Sequence, residues 1–424
     1  MGNRSSLFYG WTIVVVSIVS MILIYGIRHS FAVFFPPILA EFGWSRGSTA
    51  MMLSLNILIY GFLAPIAGTL SARWRARRVM PIGILILGMA TAGCAFANEL
   101  WHFYFFFGGL MPLGSALSGW PILAPALMNW FIKRRGLVLG LGQMGGGLSF
   151  VYSIFVESII SQMGWRMSYL ALAIILVVIL LPLHFLFFYY RPGDKGLEPY
   201  GSSESPPRPK SPEGGAALKN PKILEWTLSQ ILKSPQLWYL VLSYALYWGI
   251  GGYLILAHQV KFAVDAGYSS MFSVSIFALF GVTVFIGQST GFLSDRLGRE
   301  KTATLAACLS MGGLYALISV RDTSQPWLLY VYSIFFGYGG GLFTPTIFAA
   351  SADIFYGRHF GAVAGLLLTG MGVGGVFGPW LGGYLYDITG SYLSAFILCI
   401  ISIGLACVSL WMAAPTKAAT GKIK

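Results

Sequence analysis

Charged side chains are scarce in this chain. They make up 10% of its 424 residues, where a soluble domain carries roughly 25%. Acids are scarcer still, 14 Asp and Glu against 27 Lys and Arg. An ordinary water-soluble globule is excluded by that balance. Cysteine is limited to Cys94, Cys308, Cys399 and Cys407, all in apolar stretches; their spacing builds neither a disulfide framework nor a metal site. Ten-residue strands of alternating hydrophobicity are absent, which argues against a β-barrel. No nucleophile triad or phosphate loop is visible. The run Gly142-Gln143-Met144-Gly145-Gly146-Gly147 reads as helix packing rather than a nucleotide cradle. The expectation is a protein that is not an enzyme, with no catalytic residues, no metal and no cofactor. No ring of charges or filter sequence marks a channel.

What the chain has in plenty is long apolar runs, 56% of its residues being hydrophobic. About 20 apolar residues in a helix span the hydrocarbon core of a bilayer. Twelve such runs recur, at 12–36, 48–70, 79–97, 103–128, 137–160, 168–189, 237–260, 271–293, 302–320, 327–350, 361–383 and 393–413. The fold class is therefore an all-α polytopic membrane protein. In the middle of the first run stand Arg28 and His29, although a cation at the bilayer centre costs roughly 3 kcal/mol on insertion scales.

The basic residues set the orientation. With the N-terminus in the cytoplasm, all Lys and Arg except Arg28, Arg46, Arg166, Lys261 and Arg321 fall in cytoplasmic loops and tails, 22 of 27, as the positive-inside rule requires. Both termini are then cytoplasmic, in a cell membrane of the bacterial inner-membrane kind. The first run is read as a retained helix rather than a cleaved signal. The formal net charge of +13 reports topology and contact with an anionic bilayer surface, not nucleic-acid binding.

Composition changes sharply at 190–234. Residues 198–215 are rich in Pro, Ser and Gly and cannot bury a core, so 190–234 reads as a cytoplasmic linker, with a short amphipathic helix at 219–233. It separates a six-helix unit at 1–189 from another at 235–424. The halves share landmarks in order. Gly68-Thr69-Leu70-Ser71-Ala72-Arg73 aligns with Gly291-Phe292-Leu293-Ser294-Asp295-Arg296, Pro121 with Pro345, and Gly136 through Gly140 with Gly361 through Gly365. A duplicated unit of this kind forms two bundles with a substrate site between them near mid-membrane.

These features resemble the major facilitator superfamily. Gly291 to Arg299 looks like that superfamily's loop motif between helices 8 and 9, and the resemblance implies a gating role for Asp295, Arg296 and Arg299. The matching loop of the first half is degenerate, with Ala72 in place of the acid. A narrower resemblance is to the monocarboxylate transporter family, with the allied oxalate/formate antiporters. It is carried by Tyr9-Gly10-Trp11, by Gly26-Ile27-Arg28-His29-Ser30-Phe31-Ala32-Val33-Phe34-Phe35, by Phe42-Gly43-Trp44-Ser45, by Trp130 to Gly136, by Phe377-Gly378-Pro379 and by Asp387 to Tyr392. It implies alternating access and a basic residue in helix 1, a position that His29 takes with Arg28 beside it. The arginine that many members carry in helix 8 is missing from Phe285 to Gly291.

With that anchor absent, Arg28 is the candidate counter-charge for an anion, since guanidinium stays ionised and grips carboxylate bidentately. His29 lies about 100° around the helix, so only one of the two is expected to face the cavity centre. In helix 7, Tyr244, Tyr247, Gly251, Leu254 and His258 follow 3–4 spacing and are expected to line one face. Trp120, Gln143, Phe280, Tyr332 and Phe335 complete the candidate lining, and His29 and His258 are the proton-coupling candidates. The reading is a monomeric proton-coupled carrier of small organic anions, monocarboxylates foremost. A proton-independent anion exchanger and a non-transporting membrane sensor are the alternatives.

Overall fold

The structure is a computed structural model and describes residues 8–74, 76–132, 135–202, 227–355 and 360–415. The expected amphipathic segment at 219–233 lies partly outside them; its described end is a helix, Leu228–Lys233, capped by Thr227. Twelve helical legs make up the rest: α1 Gly10–Phe42, α2 Arg46–Trp74, α3 Ala76–Ala95, α4 Leu100–Trp130, α5 135–163, α6 165–187, α7 Pro235–Asp265, α8 Ser270–Ser289, α9 Arg299–Ser319, α10 Trp327–Ile354, α11 Phe360–Thr389 and α12 Leu393–Ala413. Among the described residues ten helices are long and apolar enough to cross a membrane. One of them contains both α5 and α6, folded apart where Gly164 takes φ +76, a left-handed conformation natural to glycine. The 28-residue α10 is long enough as well but is not among the ten.

Local sequence explains the irregular legs. Pro36 and Pro37 inside α1 lack an N–H, so the carbonyls four residues back lose their donors; the leg turns at Ser30, just past Arg28 and His29. Helix α4 loosens into a π-helical stretch at Tyr104–Leu110 and breaks again at Gly119. Helix α7 carries a second π-helical stretch, Ala245–Gly252. Residues 188–202 fold back on the first six legs, where Tyr200 pairs with Phe131 and Lys195 sits over the Tyr9 ring.

Legs α1–α6 and α7–α12 form two bundles that meet along three seams, α2 on α11, α5 on α8 and α1 on α7. Glycine makes the first two close. A Cβ on Gly383 would lie 2.4 Å from the Gly47 nitrogen, and Gly61 and Gly372 face each other backbone to backbone. On the second seam, Gly281 and Gly147 leave room for each other and for Phe150. Toward the opposite end a Cβ on Gly140, Gly361 or Gly365 would meet nothing within 4 Å. The bundles are sealed together at the Arg46 end, where an ion pair and a carboxylate cap cross between them; the opposite end carries Gly10 and Ala413.

Candidate functional site

Arg28 sits at the last turn of the first half of α1, 3% exposed. Its guanidinium lies 4.1 Å from the centre of the Tyr60 ring and 5.2 Å from that of Tyr25, and the two phenol oxygens are hydrogen-bonded at 2.7 Å. The Tyr253 hydroxyl interacts with Arg28 from across the seam. Among the described residues no carboxylate lies within ion-pair distance of it, and its Nη2 has no hydrogen-bond partner. Aromatic faces recover about 2 kcal/mol for a desolvated cation, whereas one unpaired buried charged donor costs a similar or larger amount. The balance leaves a cation in want of an anion.

Arg28 borders a cavity with His29, Phe31, Leu53, Tyr253, Leu256 and Phe277. Its volume is about 10 Å³, room for one water molecule and no more. One wall group is cationic, one is a phenol, one is an imidazole and the others are hydrocarbon. His29 borders the same space, where only one of the pair was expected to face it: the lining comes from α1, α2, α7 and α8, so the space meets more than one side of α1. The His29 ring stacks on Phe150 at 3.9 Å and its Nδ1 lies 2.7 Å from the Ser149 hydroxyl.

Of the other candidates, none borders this cavity. Tyr247 points into the second bundle, with its hydroxyl 2.6 Å from that of Ser310 and its ring stacked on Phe343. The cause is the π-helical stretch through Tyr247: its wider turn advances the register by a residue, so the 3–4 stripe fails and Tyr253 takes the cavity face. Phe335 is 41% exposed on the outer surface, and its neighbour Phe336 packs inward against Phe280 instead. Phe280 is buried at the α5–α8 seam against Phe150. Tyr332 donates a hydrogen bond to Gln259 Oε1 at 2.5 Å. Trp120 lies against Gly142 of α5, and Gln143 is half-buried with an unpartnered Oε1.

The gating candidates divide. Arg299 bonds Asp295 at 2.5 Å and Asp353 at 2.7 Å, which ties the α8–α9 connection to the end of α10 within one bundle. Arg296 is exposed beside Phe292 and makes no ion pair among the described residues.

The contact that joins the two bundles is one that sequence reasoning missed. At the sealed end Arg46 Nη1 reaches Asp265 Oδ2 at 2.5 Å and the Tyr392 hydroxyl at 2.8 Å, over the face of Tyr386. The Asp387 carboxylate accepts from the backbone N–H of Arg46 and of Gly47, at 2.9 and 2.8 Å. It caps the start of α2 from the other bundle. Lys261 also pairs with Asp265. Burial pushes the Tyr392 phenol above its ordinary range, against a smaller lowering by Arg46, so it stays an O–H donor. His258 belongs to this cluster and not to the cavity: its Nε2 is 2.8 Å from the Pro379 carbonyl and its Nδ1 3.2 Å from the Tyr392 hydroxyl.

Comparison with known proteins adds a family. A family model described as Major Facilitator Superfamily matches residues 15–318 and 289–424. The chain is 26% identical over 395 residues to monocarboxylate transporter 13 of Rattus norvegicus, covering 92% of this chain and 85% of that protein. It is 26% identical over 408 residues to monocarboxylate transporter 11 of Homo sapiens, covering 92% and 80%. Among solved structures it is similar to a bacterial homolog of the human lysosomal transporter Spinster in an inward-facing, unoccupied conformation. There the TM-score is 0.69 with 17% identity, over 99% of each chain. That similarity speaks to the fold.

Proposed function

The chain belongs to the Major Facilitator Superfamily, and from that premise we propose that it is a secondary carrier of small organic anions, monocarboxylates foremost, with Arg28 as the counter-charge. The observation that carries this reading is the guanidinium itself: buried, without a carboxylate partner, one nitrogen unbonded, and bordering a cavity between the bundles. The helix-8 arginine expected from the resemblance is absent, and Arg28 supplies a cation in its stead. Phe31, Leu53, Leu256 and Phe277 suit a substrate with one carboxylate and an apolar body. A second carboxylate would find no second cation among these lining residues, and its burial would go uncompensated.

The distribution of Lys and Arg supports cytoplasmic termini, which makes the sealed end the outer one and the end with Gly10 and Ala413 the cytoplasmic one. Transport is then alternating access, with separation at the Arg46 seam opening the site outward. Proton symport is the coupling we favour. Among the cavity-lining residues there is no acid, so the proton must use a histidine or travel on the substrate.

A thermal-shift screen of the purified protein against mono-, di- and aromatic carboxylates between pH 5 and 8 tests the reading. A specific monocarboxylate at about 100 times its Kd should stabilise the fold by about 2.7 kcal/mol, and Arg28→Gln should abolish that shift. A shift that survives the substitution rejects Arg28 as the anchor.

A further inference from the structure

We propose that His258 is the site at which a proton binds to unlock the sealed end, acting through Tyr392 and Arg46. This rests on the reading of the chain as a proton-coupled carrier whose sealed end faces outward.

The donors and acceptors of the cluster leave one arrangement. The Pro379 carbonyl only accepts, so the His258 nitrogen 2.8 Å away, Nε2, carries a hydrogen. A guanidinium only donates, so Arg46 Nη1 donates to the Tyr392 oxygen. In a neutral imidazole the second nitrogen is an acceptor, and the Tyr392 O–H donates to His258 Nδ1. The chain thus runs one way, from Arg46 of the first bundle through Tyr392 and His258 to the α11 carbonyl of the second. It is complete only while the imidazole is uncharged.

A proton arriving on Nδ1 reverses the middle link. Nδ1–H then donates to a Tyr392 oxygen that already accepts from Arg46, and the phenol hydrogen loses its acceptor in a buried place. The new charge faces the Arg46 guanidinium from α2. Asp387 of α11 faces it with the opposite sign, but that carboxylate is already committed to two backbone N–H groups of α2. Asp265, farther along α7, is shared between Arg46 and Lys261. From α1 the Phe35 ring meets the imidazole in a T-shaped contact, and on the α11 side Gly382 leaves space for it, a Cβ there coming within 2.6 Å of the ring.

The sealed state therefore holds His258 neutral, and the unsealed state, with the chain of hydrogen bonds broken, is the one that accepts the proton. By linkage, acidification favours the unsealed state. A proton from the outer side thus opens the gate through which an anion from the same side would enter, which gives the two a common path.

The test places spin labels on cysteines introduced for Ser45 and Ser391, exposed positions on the two sides of the sealed end, in a chain whose four native cysteines are serine. The distance distribution is recorded without any organic anion. Between pH 7.5 and pH 5.5 the ratio of the long-distance to the short-distance population should rise by up to about tenfold. His258→Gln keeps a donor for Pro379 but cannot titrate, and its distribution should be the same at both pH values. Tyr392→Phe keeps the ring but removes the link, and should lose more than half of the response. A wild-type distribution that does not change with pH overturns the proposal, and so does a full acid response in His258→Gln. Because no substrate is present, these outcomes are independent of whether Arg28 binds an anion, which the thermal-shift screen decides separately.

Discussion

Arg28 is costly where it stands, and its surroundings do less than they would for a structural ion. Two tyrosine faces and a phenol hydroxyl touch it, and among the described residues no acid completes it. A buried cation kept for folding would be expected to have a partner, because removing one member of a buried pair leaves an uncompensated charge worth several kcal/mol. Arg28 is that uncompensated charge in the native state. Arg28→Gln should therefore leave the apo protein as stable as wild type, or raise its unfolding midpoint by a few degrees, when thermal unfolding is followed in detergent without added anion. A fall of more than about 2 kcal/mol would show that Arg28 holds the fold together and that its present contacts are its purpose.

The legs show how far the sequence was legible and where it stopped. The apolar runs marked all twelve, because hydrophobic length is set by the bilayer and is written locally. The offset landmarks pointed to a duplicated unit. What could not be read was the rotation of each leg about its axis. The Tyr244–His258 stripe assumed an unbroken α-helix, but the glycine-rich Ala245–Gly252 stretch is π-helical, and the face changes within it. Nothing in the residues announces that change. Phe335 and Phe336 are equally apolar, and only packing on Phe280 decides which turns in. Tyr25 was within reach of sequence reasoning, one turn before Arg28 on the same side of α1; Tyr60 is on another leg and left no local signal. The Arg46–Asp265–Asp387 contact joins residues more than 200 positions apart and needs the fold to be seen.

Glycine at the helix contacts gives an element-scale check. On Gly341 a Cβ would fall 2.1 Å from the Val284 carbonyl oxygen of α8, backbone against backbone, while on Gly365 it meets nothing within 4 Å. Gly341→Ala should push α8 and α10 apart at a cost of about 1–3 kcal/mol. Gly365→Ala should be neutral or stabilise by up to about 1 kcal/mol, through helix propensity. Unfolding midpoints of the two variants decide it. Equal effects would mean that the α8–α10 contact is looser than the structure has it.

At the scale of the whole molecule the pieces form one device. Two bundles meet along glycine-lined seams and are joined at one end by the Arg46 cluster. Among the described residues, the ion pair that joins the bundles is Arg46–Asp265, at the closed end. Midway lies a space for one water beside an unpaired cation. A substrate larger than water can reach Arg28 only when the seams move. Binding and transport are therefore inseparable here, and a static binding assay sees half of the claim. The direct measurement is counterflow of labelled monocarboxylate into proteoliposomes loaded with the unlabelled compound. Wild type should accumulate label transiently. Arg28→Gln, inserted and folded to the same extent, should be slower by at least about 100-fold, since charge-assisted bidentate binding is worth about 3 kcal/mol or more. Arg28→Lys should fall between them. Counterflow by Arg28→Gln within about threefold of wild type would contradict the assignment of Arg28 as the counter-charge of the transported anion.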